Sequence, residues 1–108
     1  WVAHVAAAVE AEDATVLPRN VANHHGCNFG RWYQREGFAH YSHMEEFRQI
    51  GPLHQKVHED AARIADLLGE SGGNPELAQA LATLIRDRDA VMVALHRLQE
   101  RVVAINRQ

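Results

Sequence analysis

The sequence predicts an all-α fold, an antiparallel four-helix bundle with an additional short helix. Three observations carry that expectation. Apolar residues recur at spacings of three and four along most of the chain. The alternation of β-branched and aromatic residues that marks strands is nearly absent. Glycine and proline gather between the periodic segments and punctuate them.

The first segment, residues 2–17, is rich in alanine and meets Pro18, where a helix should end. A polar stretch follows, with Asn20 and Asn23 as candidate N-caps, and a second helix is expected over residues 24–36. Gly37 reads as its C-terminal stop. A short helix is expected over residues 43–49, and Gly51-Pro52 signals a fresh start because proline suits the first helical position. From there Leu53, Val57, Ala61, Ile64 and Leu68 line one face. Gly69 and residues 70–74 form a turn, with Asn74 as cap and Pro75 at the first position of the last helix. That helix carries Leu77, Leu81, Leu84, Arg88, Val91, Leu95, Leu98, Val102 and Ile105 at heptad spacing, broken at Arg88. Such a seam serves an intrachain core or a two-chain interface.

With 108 residues, the chain has room for one domain, 1–108, and a modest core to which a metal or a partner would add stability. The net charge is -3 and the basic residues are dispersed, which argues against nucleic acid. No apolar run approaches the ~20 residues that span a bilayer, so membrane contact is not expected. A single cysteine excludes an intrachain disulfide and suits a reducing compartment, so a cytoplasmic location is expected. The start at Trp1 and the heptad still running at the end suggest a piece of something longer.

Histidine is the compositional oddity, with eight in the chain. His54 and His58 stand four apart, so on a helix both imidazoles leave one face about a turn apart, as a shared metal ion requires. Taken alone the pair is weak, because eight histidines give about 0.6 such pairs by chance. Cys27 strengthens it, since a thiolate favours zinc over hard cations. Gly30, inside a helix, suggests that a neighbouring backbone comes close. Phe29 and Trp32 can pack as one apolar patch that limits water near a metal–sulfur bond. His4 interrupts an alanine-rich helix and is the fourth candidate; His24 or His25 could take its place. Three histidines and one cysteine would close a tetrahedral Zn2+ site and leave no position for substrate, so a sensor rather than an enzyme is expected.

His4, then Cys27-Asn28-Phe29-Gly30-Arg31-Trp32, then His54-Gln55-Lys56-Val57-His58, resembles the chemoreceptor zinc-binding domain family. The likeness runs from His4 to about Leu68, and Ala7 departs from it, because the family usually has a bulky residue three after the first histidine. The resemblance implies a cytoplasmic homodimeric bundle attached to a signalling output domain, such as a chemoreceptor or a diguanylate cyclase. It also implies a response to zinc or to hypochlorous acid. Two other readings stand beside it: a haemerythrin-like di-iron bundle, and a metal-free dimerisation module served by the heptad seam alone.

Overall fold

The computed structural model describes residues 1–13, 17, 28–69 and 75–106, and no strand occurs among them. The helices are α1 (Val2–Ala11), α2 (Asn28–Trp32), α3 (Phe38–Tyr41), α4 (Glu45–Arg48), α5 (Ile50–Gly69) and α6 (Glu76–Asn106). A π-helical stretch, Tyr33–Gly37, joins α2 to α3 without a break. The all-α expectation holds for the described residues. Pro18, the caps Asn20 and Asn23, and the turn over residues 70–74 lie outside them.

Helix α1 ends well short of Leu17. Glu12 turns into the left-handed region at φ 51°. The Asp13 N–H then donates to the Ala8 carbonyl at 3.0 Å and the Glu12 N–H to the Val9 carbonyl at 3.2 Å. This is the Schellman closure, here made without glycine. The sequence reading relied on proline as the stop and overlooked a closure that needs only one residue at positive φ.

Gly37 does not stop a helix. Its backbone is helical, and a Cβ there would lie 2.9 Å from Phe47 Cε2 and 3.1 Å from the Trp32 ring. Glycine is present because the α2–α3 run passes directly over Phe47. The short helix expected over residues 43–49 is α4. The following helix begins at Ile50, so Gly51 and Pro52 sit inside its first turn, where a missing N–H costs nothing.

Helices α5 and α6 form the long pair of the molecule. Their ion pairs rise on one helix as they fall on the other: Arg63 with Glu76 at 3.0 Å and Lys56 with Asp87 at 3.9 Å. The two are therefore antiparallel. On α5 the buried positions are Ile50, His54, Val57, His58, Ala61, Ile64 and Leu67; Leu53 and Leu68 are only half-buried. On α6 they are Leu77, Ala80, Leu84, Asp87, Val91, Ala94 and Leu98. That seam shares every second position with the expected one, but it takes Ala80, Asp87 and Ala94 in place of Leu81, Arg88 and Leu95. Small residues let the two backbones approach, and the larger neighbours are turned toward α1 and solvent.

Two cores result. Helix α1 lays Val5, flanked by Val2 and Val9, into an aliphatic core with Ala61 and Ile64 of α5 and Leu84 of α6. Around Phe47, Ile50, Ala94 and Leu98 the core is aromatic, supplied by Phe29, Trp32, Tyr33 and Tyr41. Along α5, His54 lies between the two cores, and His58 follows Val57 at the edge of the aliphatic one.

Candidate metal centre

Amphipathic α5 places His54 and His58 on its buried face, 8% and 3% exposed. Their ring centroids are 4.8 Å apart and the rings nearly perpendicular, at 81°. Each imidazole meets an aromatic ring among the described residues. Phe29 lies 4.7 Å from His54, and Trp1 lies 4.7 Å from His58. Phe29 also meets Trp32 at 5.9 Å, so the apolar patch expected beside the cysteine exists and bears on His54. The imidazole rings border a cavity of about 570 Å³ whose other walls include Val57, Val91 and Leu95.

The other two expected ligands are placed differently. His4 is exposed on α1 and does not line the cavity. It lies three residues beyond Trp1, whose ring covers His58. Cys27, with the alternatives His24 and His25, lies outside the described residues. Among the described residues no group of three His, Cys, Asp or Glu side chains gathers around one point. The structure thus assembles the His54–His58 half of the expected set. His40 and His43 are exposed, and His96 pairs with Glu100 at 3.0 Å on the surface of α6.

The donor chemistry of that half fits zinc. Two imidazoles on one helical turn, dried by aromatic rings, are borderline-soft nitrogen donors of the type zinc prefers. The pair is also braced from outside. The Tyr33 hydroxyl donates to the Phe47 carbonyl at 2.9 Å and accepts from the Gly51 N–H at 3.1 Å. Its ring stacks on Phe47, with centroids 4.2 Å apart and planes within 9°. Burial pushes the Tyr33 phenol above its ordinary range, opposed by the hydrogen bond from Gly51. The hydroxyl therefore keeps its proton and remains a donor at neutral pH.

A second polar feature begins two residues beyond His58 on α5. Asp60 faces Asp87 of α6, and the Oδ2 atoms of both are buried without a hydrogen-bond partner among the described residues. Lys56 Nζ, at 3.9 Å from Asp87, is beyond hydrogen-bond reach. Burial, followed by the hydrogen bond and the charge of Asp87, pushes the Asp60 carboxyl up to about 7. A proton on Asp60 would bridge the two carboxyls and satisfy both.

Trp1 and Tyr33 were not legible as parts of this site. Trp1 carries one usable signal, its position one turn before His4 on the same helix. Tyr33 carries none at short range, because its partners are 14 and 18 residues away.

Among the described residues, no helix is long and apolar enough to cross a membrane. No curated protein and no solved structure matches the chain. The profile of the chemoreceptor zinc-binding domain family matches residues 1–65, a segment that contains His4, Cys27, His54 and His58. With more than half of its length matched, the chain belongs to the chemoreceptor zinc-binding domain family.

Proposed function

We propose that this domain is a cytoplasmic, non-enzymatic regulatory module that holds one Zn2+ through His54, His58, Cys27 and His4 and passes the state of that site to an attached signalling domain. The observation that carries the reading is the buried, ring-covered His54–His58 pair inside the segment matched to the family. Phe29 packs on His54 two residues after Cys27 in the chain, which favours Cys27 as the third donor. His4 follows the ring over His58 by three residues, so a slide of α1 by about 4.5 Å with a rotation of about 60° would exchange Trp1 for His4. When bound, zinc supplies a cross-link between these helices.

The thiolate of Cys27 is the oxidisable group. Hypochlorous acid transfers its OH to the sulfur, giving a sulfenic acid and releasing chloride, and the product is a weaker ligand. Loss of that donor would free the chain at Cys27 from the metal that ties it to α5. The face of α6 with Met92 and Val93, 58% and 51% exposed, and with Val103 three turns beyond, gives a second copy an apolar surface on which a homodimer forms.

Metal analysis tests the site. Protein purified without added metal should hold about one zinc per chain. Cys27→Ala and His58→Ala should each lose most of it; unchanged zinc in both would end the proposal. His4→Ala, compared with His24→Ala and His25→Ala, identifies the fourth donor. Sedimentation of the wild type and of Met92→Glu tests the dimer, which a monomeric wild type would contradict.

A further inference from the structure

The π-helical stretch Tyr33–Gly37 is the one departure from α-helical winding within the described helices, and such stretches often coincide with functional sites. Here the stretch opens with Tyr33, whose hydroxyl joins two other elements. It donates to a carbonyl near the end of α4 and accepts the Gly51 N–H at the start of α5. That N–H belongs to the first turn of α5, whose donors have no intrahelical partner, and Pro52 next to it has no N–H to offer. The fit is close on every side. A Cβ on Gly51 would lie 2.9 Å from the Tyr33 hydroxyl, and one on Gly37 would meet Phe47 and Trp32. Phe29, one turn before Tyr33, lies 6.2 Å from its ring with the planes inclined by 26°, and covers His54 at 4.7 Å. Gly51 and His54 are three residues apart on one helix, so the clamp and the imidazole share a turn.

We propose that Tyr33 is a positioning residue for the histidine pair: its hydroxyl locks the first turn of α5 to the π-stretch and so fixes His54 beneath Phe29 in the geometry that binds the metal. The inference rests on the zinc reading above. Tyr33 touches neither imidazole; it acts through Gly51 on one side and through Phe29 on the other. Outer groups that hold ligands in place commonly change metal affinity by ten- to a hundredfold. The Tyr33 hydroxyl is one step further out, which sets the expectation near the lower bound.

Tyr33→Phe keeps the ring and its stack on Phe47 and removes both hydrogen bonds. In competition with a chromogenic chelator, the variant should bind zinc about tenfold more weakly than the wild type. In metal-free protein, the Gly51 amide should exchange with solvent faster than in the wild type, while amides near Ile64 keep their protection. Leu77→Ala, at the far end of α6, serves as a destabilised control and should leave zinc affinity unchanged. Equal zinc affinity in Tyr33→Phe and wild type overturns the inference, as does an equal weakening in Leu77→Ala. A wild type that takes up no zinc at all removes the metal reading itself, a failure distinct from either of these.

Discussion

Around Ile64 and Leu84 the core is aliphatic and its contacts have no preferred direction; around Phe47 the packing is aromatic and tied through one tyrosine hydroxyl. The aliphatic region is built from α1, α5 and α6, with Val5, Ala61, Ile64 and Leu84 fully enclosed. Its stability comes from the area removed from water, and it tolerates small shifts as long as volume is kept. The aromatic region depends on shape and on hydrogen-bond geometry, because Phe47 sits against Gly37 and stacks on Tyr33. The histidine pair touches the second region through Phe29. A site that must hold two rings in one arrangement draws on the region that fixes direction as well as burial.

Truncating the aromatic centre should have the largest effect. Phe47→Ala is expected to cost about 4 kcal/mol, near the upper range for core truncations, because three rings lose their common partner. Denaturant melting measures the loss. The ring signals of His54 in the folded fraction should broaden as Phe29 loses its support. Leu84→Ala comes next, at about 3 kcal/mol. It should lower the midpoint while the His54 signals stay where they are. If both variants disturb His54 equally, the two regions are one cooperative unit and the contrast fails.

A smaller effect has an informative sign. In an open helix, Gly37→Ala would stabilise by about 1 kcal/mol. The Cβ would lie within 3.1 Å of Phe47 and Trp32, and overpacking of that kind costs about 1–3 kcal/mol. A net destabilisation of up to about 2 kcal/mol is therefore expected. A more stable Gly37→Ala variant would mean that the rings yield easily and the aromatic end is as plastic as the aliphatic one.

The sequence carried the helices and the His54–His58 pair because both depend on spacing within one segment. Periodicity predicts which stretch of α6 is amphipathic, but the choice between Leu81 and Ala80 depends on how closely α5 approaches. Only tertiary packing decides that. Gly37 was misread for a related reason. A glycine that ends a helix and a glycine that admits a neighbouring ring look alike until Phe47 is placed beside it. Tyr33 was silent because its partners are remote in sequence; Trp1 carried only its spacing from His4, and nothing in α1 alone says which imidazole it will cover. His4 marks the remaining distance between motif and geometry, since the pattern singles it out and the structure leaves it exposed.

The Asp60–Asp87 pair gives the finest comparison, between α5–α6 contacts held by burial alone and one whose burial makes it depend on pH. Asp60 has a folded-state carboxyl pKa of about 7, above the ordinary carboxylate range near 4, so folding favours its protonated form. The stabilisation is complete below about pH 4 and is lost as pH rises toward 7 and beyond. In metal-free protein held in chelator, the wild type should therefore become less stable between about pH 5 and pH 8. Asp60→Asn, which donates a hydrogen bond at every pH, should flatten that slope. Partial exposure of Asp60 and the nearby charges of Lys56 and Arg86 hold the gain at pH 8 to about 1 kcal/mol. Arg63 and Glu76, an exposed pair on the same two helices, supply the contrast: Arg63→Ala should move stability by less than about 0.5 kcal/mol and leave the pH slope alone. Equal slopes in wild type and Asp60→Asn would show that the two carboxylates are separated in solution and that no proton bridges α5 to α6.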